Sequence, residues 1–136
     1  MAFIHDRLVY FSDTDGAGVV FFARILTFCH DAYEASLAAF GVDLQDFFCN
    51  SPLAFPIVSC QIDFHKPIRC GELLQIEVTG EPVGLSEFVT FYQIKSAEKL
   101  KAKGSLKHCG IDRVSRRPVP LPQPTIDWLN AMKIAE

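Results

Sequence analysis

The chain has 136 residues, enough for one domain with a sizeable core and too few for two ordinary ones. Hydrophobic residues make up 49% of it and 12 residues are Phe, so some of the apolar surface is expected to be covered by a second subunit. A net charge of −3 gives no footing for a nucleic-acid partner, and no uninterrupted apolar run is long enough for membrane insertion.

Cys29, Cys49, Cys60, Cys70 and Cys109 are odd in number, and no two have C-x-x-C spacing. Neither a disulfide framework nor a zinc site is expected; buried free thiols in a reducing compartment are. The N-terminal residues pass straight into strand-like alternation without a long apolar h-region, so no signal peptide is expected and the location reads as cytoplasmic.

In chain order, residues 7–11 (Arg-Leu-Val-Tyr-Phe) are rich in β-formers and predict a strand. Residues 12–18 punctuate it. Phe21, Ile25, Phe28, Cys29, Ala32, Ser36, Ala39 and Phe40 then recur at helical spacing, and Gly41 fits a C-terminal stop. Apolar residues on much of its circumference predict a buried helix. Residues 43–50 predict a helical turn ended by Ser51-Pro52. Residues 56–64 predict a strand with Val58, Cys60, Ile62 and Phe64 on one face. Residues 72–79 predict another, with Leu74, Ile76 and Val78 inward, followed by a turn over 80–84. Strands are predicted over 86–96 and 103–111, with antiparallel pairing favoured by hairpin order. Residues 116–124 carry four prolines and predict an extended surface segment; residues 125–134 predict a helix capped by Thr125. A long helix wrapped by a curved sheet buries both apolar surfaces at once.

The stretch Asp13-Thr-Asp-Gly-Ala-Gly-Val-Val-Phe-Phe22 sets two acids and two glycines before the helix. A helix start offers unpaired N–H groups and partial positive charge. A carboxylate beside such donors can attack a carbonyl or activate water while the donors hold the oxyanion. The same residues fit an ordinary loop with a helix cap, and the pattern by itself leaves both readings open. His30 reads as a polar contact to Asp31 or Glu34. With Glu34 it has the i, i+4 spacing of a metal pair but lacks a third ligand, so no metal is expected. Val19, Phe21 and the aromatics near Phe55 read as a ligand pocket or as core. Lys95, Lys99, Lys101, Lys103, Lys107, Arg113, Arg116 and Arg117 read as a phosphate-binding rim or as a solvated hairpin. No Gly-x-Ser-x-Gly elbow and no Walker or Rossmann glycine pattern occurs.

The outline and the run Phe11-Ser-Asp-Thr-Asp-Gly-Ala-Gly-Val-Val-Phe-Phe22, followed by Phe55-Pro-Ile-Val-Ser-Cys60, resemble the hot-dog-fold acyl-CoA thioesterases of the 4-hydroxybenzoyl-CoA thioesterase type. The resemblance covers nearly the whole chain. Tyr10, the segment Cys29-His-Asp-Ala-Tyr-Glu34 and the tail Pro120-Leu-Pro-Gln-Pro124 make it most similar to the group that hydrolyses 1,4-dihydroxy-2-naphthoyl-CoA in phylloquinone synthesis.

The resemblance implies a single α+β hot-dog domain over 1–136 and a thioester hydrolase that needs no cofactor. It implies an acyl-CoA substrate and a homodimer or homotetramer with the active site between subunits. It makes Asp15 the catalytic carboxylate, as nucleophile or general base, and Asp13 a mainly structural acid. It makes the Phe22 N–H the carbonyl-polarising donor and Gly18 a point of close backbone approach. Val19 and Phe21 become pocket residues, and His30 stands where related enzymes carry an acid facing the acyl group. The arginines that hold the nucleotide in some members are missing from residues 83–87, so those contacts do not carry over. Hydrolysis of 4-hydroxybenzoyl-CoA or a short aliphatic acyl-CoA is the nearest alternative, and a non-catalytic acyl-CoA or acyl-carrier binding module the alternative of another class.

Overall fold

A computed structural model describes residues 1–133 of the chain. Its main sheet has five antiparallel strands in the order β1-β4-β5-β6-β3. These are β1 (Phe3–Leu8), β3 (Ile57–Phe64), β4 (Leu73–Pro82), β5 (Glu87–Ser96) and β6 (Lys99–Cys109). A two-stranded ribbon joins β2 (Leu53–Ala54) to β7 (Ile111–Asp112). The long helix α1 (Arg24–Ala39) lies across the sheet, closest to β1 and β4, and α2 (Gln123–Ala131) packs on β4.

Helix α1 follows from the period read above. Ile25, Phe28, Cys29, Ala32, Tyr33, Ser36 and Leu37 form its buried stripe, as the apolar spacing predicts. Gly41 stops it at φ +93: its N–H reaches Ala38 O at 3.0 Å and the Val42 N–H reaches Leu37 O at 3.0 Å, the paired closure that a left-handed glycine permits. The turn expected over 43–50 is present, with a π-helical segment at Asp46–Asn50. Leu74, Ile76 and Val78 on β4 are fully buried, as their alternation requires.

Four elements differ from expectation. The first strand lies earlier, at Phe3–Leu8. The Asp13 carboxylate takes the Tyr10 N–H at 2.8 Å and turns Phe11–Asp13 into a 3₁₀ turn, leaving Tyr10 and Phe11 exposed. Gly80 is not a turn residue but lies within β4, where a Cβ would sit 2.8 Å from Leu129 Cδ2 on α2. Strand β6 begins at Lys99 because a two-residue hairpin turns at Ala97 (φ 50) and Glu98 (φ 66). Helix α2 starts at Gln123 behind Pro122, and Thr125 is buried inside it rather than capping it; the predicted last residue, Ile134, lies outside the described residues. Of the cysteines only Cys29 is buried; Cys49, Cys60 and Cys70 are exposed and Cys109 is half-buried.

Hairpin order holds for β4, β5 and β6 but not for β3, which crosses to the far edge and pairs with β6. Gly104 makes that pairing close: a Cβ there would lie 2.4 Å from Gln61 O and 2.3 Å from Ile62 Cδ1. The prolines of the C-terminal segment run extended along the surface, tied by Val119 N–H to Gly110 O (2.9 Å) and Leu121 N–H to Leu85 O (2.9 Å). Among the described residues, no helix is long and apolar enough to cross a membrane.

Candidate active site

The loop between β1 and α1 is built around Asp13. Its carboxylate is buried and accepts from Tyr10 N–H (2.8 Å), Arg7 Nη1 (2.9 Å) and Nη2 (3.3 Å), and Arg24 Nε (2.9 Å). Burial pushes its pKa upward, but the bonds from Arg7, Tyr10 and Arg24 outweigh that and hold it below the usual carboxylate range. Arg7 itself is wedged between the rings of Phe28 (4.7 Å) and Tyr10 (5.1 Å). A carboxylate so saturated with donors anchors a loop; it has no lone pair turned toward a ligand.

Asp15, two residues on, has the opposite setting. It is exposed, and its Oδ1 accepts one bond, from the Ala17 N–H at 2.8 Å. Its backbone closes the loop: Asp15 N–H donates to Val19 O (2.9 Å) and Gly18 N–H donates to Asp15 O (3.0 Å). Gly18 is held at φ +79, which favours glycine at this turn. The far side of the loop is stitched to the body by Val20 N–H to Ile68 O (2.8 Å) and Phe21 N–H to Asp13 O (3.0 Å).

The chain then enters α1 through tight turns, Arg24 N–H to Phe21 O (2.8 Å) and Ile25 N–H to Phe22 O (3.3 Å). Among the described residues, nothing accepts from the N–H groups of Phe22 or Ala23. These are the free donors that every helix start leaves over. Phe22 is 65% exposed and its ring lies 4.9 Å from that of Phe21.

Val19 and Phe22 open onto a groove of about 290 Å³, walled by Ile25, Phe64 and Ile68 with Lys66 and Lys101 at its rim. Asp15, Gly18 and Phe21 belong to the adjoining loop rather than to the groove wall. His30 is not brought to this groove. It borders a second cavity of about 280 Å³, with Phe47, Phe48, Phe55, Ile57, Arg113 and Arg116. There its Nδ1 meets Glu34 Oε2 at 2.7 Å, and its ring packs against Tyr33 (5.2 Å) and Phe48 (6.0 Å). Below it, Tyr33 Oη and His108 Nε2 are buried with no partner among the described residues.

Three residues of the basic cluster are paired with carboxylates: Lys95 with Glu77 (3.3 Å), Lys101 with Glu72 (3.3 Å) and Lys107 with Glu87 (3.9 Å). Arg113 is spent on the carbonyls of Ser51 (3.0 Å), Phe48 (3.0 Å) and Leu53 (3.3 Å). Phe64 and Lys66 are groove residues that sequence reasoning missed as site residues, since nothing local marks them apart from a strand end and a turn.

Residues 9–129 match the family described as the thioesterase-like superfamily. The chain is 42% identical over 132 residues to a 1,4-dihydroxy-2-naphthoyl-CoA hydrolase of Microcystis aeruginosa, covering 97% of this chain and 96% of that one. It is 43% identical over 129 residues to the hydrolase of the same name from Nostoc punctiforme, covering 95% and 87%. The crystal structure of a 1,4-dihydroxy-2-naphthoyl-CoA thioesterase from Synechocystis superposes with a TM-score of 0.90 at 36% identity, covering 96% of each chain.

Proposed function

This chain belongs to the thioesterase-like superfamily, and from that premise we propose that it hydrolyses 1,4-dihydroxy-2-naphthoyl-CoA to the free acid and CoA, a step of phylloquinone synthesis. The observation that carries the substrate is the end-to-end match, above 40% identity, to hydrolases named for it.

Asp15 supplies the carboxylate. One of its oxygens is fixed by the Ala17 N–H, which orients the other toward solvent and the approaching thioester. It attacks the thioester carbon directly, giving a mixed anhydride that water then cleaves, or it takes a proton from the attacking water. In both routes charge develops on the carbonyl oxygen, and the unused Phe22 N–H at the helix start is the donor that meets it. The CoA sulfur leaves as the carbonyl re-forms. Val19 and Phe22 line the groove beside the thioester, Phe21 and Gly18 shape its approach, and His30 serves the acyl end. No cofactor takes part in this scheme.

The functional unit is a homodimer or a homotetramer built from it. Strand β3 supports this. It ends the sheet with a free edge, and Val58 (52% exposed) and Phe64 (55%) lie uncovered on the face that Ala102 and Leu106 of β6 turn to the core. A second copy of β3 satisfies the edge and covers the face together, and a two-fold closes at two copies. A CoA thioester substrate and five free cysteines fit a cytoplasmic enzyme.

The test is thiol release from dihydroxynaphthoyl-, 4-hydroxybenzoyl-, benzoyl- and short aliphatic CoA thioesters, with wild type and Asp15→Asn side by side. The expected result is preference for dihydroxynaphthoyl-CoA and a loss of about 10²–10⁴-fold in the variant. Preference for another thioester overturns the substrate, full turnover in Asp15→Asn removes that residue from the chemistry, and CoA binding without release from any thioester makes the protein a binding module.

A further inference from the structure

Tyr33 of α1 and His108 of β6 meet in the core, each 1% exposed, with ring centroids 4.8 Å apart and planes inclined by 34°. Tyr33 Oη and His108 Nε2 are both buried, and neither finds a partner among the described residues. Aromatic rings close around them: Phe88 stacks on the imidazole at 4.7 Å, and Trp128 and Phe48 meet Tyr33 edge-on at 5.6 Å and 6.2 Å. The polar groups nearby are already engaged. Trp128 Nε1 donates to Ser36 Oγ (3.1 Å), and the Ser36 hydroxyl donates to Tyr33 O (2.7 Å). Thr90 Oγ1 and Tyr92 Oη bond each other at 2.9 Å.

The bond at the other imidazole nitrogen fixes what Nε2 offers. Phe55 O only accepts, and it lies 2.8 Å from His108 Nδ1, so Nδ1 carries the hydrogen and Nε2 presents a lone pair. Burial opposes charge on both groups: it holds the imidazole neutral and pushes the Tyr33 phenol, beside the Glu34 charge, further toward its protonated form. One side therefore offers an O–H and the other a lone pair, and leaving both idle in an apolar core is costly. An anion would be repelled by the Nε2 lone pair, and an apolar group would satisfy neither atom. A metal ion would find no cluster of three ligating side chains among the described residues. A water molecule accepts from the one and donates to the other.

We propose that a single internal water bridges Tyr33 Oη and His108 Nε2 and completes a hydrogen-bond chain that runs from the Tyr33 hydroxyl through the water and the imidazole to the Phe55 carbonyl. Each bond in such a chain polarises the next: a hydrogen donated to Nε2 makes the Nδ1–H a stronger donor to Phe55 O. The chain joins α1 to β6, and β6 to the segment between β2 and β3. Phe55, Pro56 and Ile57 of that segment wall the cavity beside His30. Tyr33 and His108 are thus positioning residues for this wall. They act on it through the Phe55 carbonyl and line no part of the cavity themselves.

The wild-type chain and Tyr33→Phe, which removes the oxygen and keeps the ring, test this. A crystal structure of the wild type that shows ordered solvent should place one water within hydrogen-bond distance of both atoms. Imidazole nitrogen NMR of the wild type should show His108 with its hydrogen on Nδ1 and a hydrogen-bonded Nε2. In Tyr33→Phe the water should be lost, the Nε2 resonance should move to that of an unbonded imine nitrogen, and the Nδ1 proton should move upfield as its bond to Phe55 weakens. Tm should fall by about 3–7 °C. His108→Asn, whose amide stands where Nδ1 stands, keeps the Phe55 bond and lacks the acceptor. Its loss in Tm combined with that of Tyr33→Phe should be less than additive, because either change already breaks the bridge. No solvent between the two atoms, a direct Tyr33–His108 bond or a hydrogen on Nε2 would each overturn the proposal, and the wild type alone decides these three. Additive losses, or His108 resonances that do not respond to removal of the Tyr33 oxygen, would overturn it as well.

Discussion

Replacing Asp13 with Asn separates the two acids of the loop. The change keeps the size of the side chain, removes its charge and leaves Arg7 and Arg24 facing an amide. Arg24 is 41% exposed at its side chain and regains water, so its pair contributes little. Arg7 is 19% exposed and lies between two rings, and Asp13 is wholly buried. Stranding a buried partner of this kind costs more than the bond itself is worth. The expected loss is about 2–3 kcal/mol, below the full value for a sealed pair because Arg7 still reaches the Leu8 carbonyl. In a chain of this length that lowers Tm by about 6–10 °C. Thermal and urea melts at pH 7 measure it, with Asp15→Asn as the control, which should stay within about 0.5 kcal/mol of wild type because Asp15 is exposed. The sign of the pH dependence follows from the direction of the Asp13 shift. Its folded pKa lies below the ordinary value, so the increment is present above the unfolded pKa and is lost as pH falls through the folded one. The gap between wild type and Asp13→Asn should therefore close in strong acid. A Tm change under about 2 °C at pH 7, or a gap that persists once Asp13 is protonated, would refute the anchoring role.

Gly104→Ala should cost about 1–3 kcal/mol and weaken self-association, because its Cβ meets the Gln61 carbonyl and forces β3 away from β6; unchanged urea melts and unchanged light scattering would show that the strand has room. His108 is stacked on Phe88 at 4.7 Å with Nδ1 2.8 Å from Phe55 O, and burial pushes its pKa down to about 4 against the pull of that bond. The unfolded chain binds this proton from about pH 6.5 downward while the native one resists, so stability should fall by about 3 kcal/mol between pH 6.5 and 4. His108→Phe should flatten that slope in melts across the range, and an unaltered slope would assign it to other groups.

What the sequence disclosed about the fold was what local chemistry decides. The α1 period, the Gly41 stop and the alternation of β4 each depend on side chains a few residues apart. The misplaced first strand shows the limit. Tyr10 and Phe11 favour strands by type, yet the ladder ends where a side chain, Asp13, captures a backbone donor. The Ala97-Glu98 hairpin carries no glycine or asparagine to announce its left-handed turn, so the sequence pattern starts β6 four residues late. The crossing of β3 to the far edge was least visible of all, because its alternation is the same beside β4 or beside β6; the close approach at Gly104 that fits it to β6 involves residues some forty positions apart.

The site divides along the same line. Asp13 and Asp15 are the same residue two positions apart, and no spacing rule distinguishes them; the likeness to a known family did. The structure supplies a physical difference: one carboxylate is consumed by four donors, the other holds a single N–H and faces solvent. The Phe22 N–H has no side-chain signature because any residue at that helix start presents the same donor. His30 was legible as a polar residue about two helical turns beyond Phe22, and sequence proximity makes the two look like parts of one site. The fold parts them into cavities at the two ends of β3. Nothing local marks β3 as the strand that ends the sheet with Val58 and Phe64 exposed, because which strand lies at the edge is settled by pairing between residues far apart in the chain.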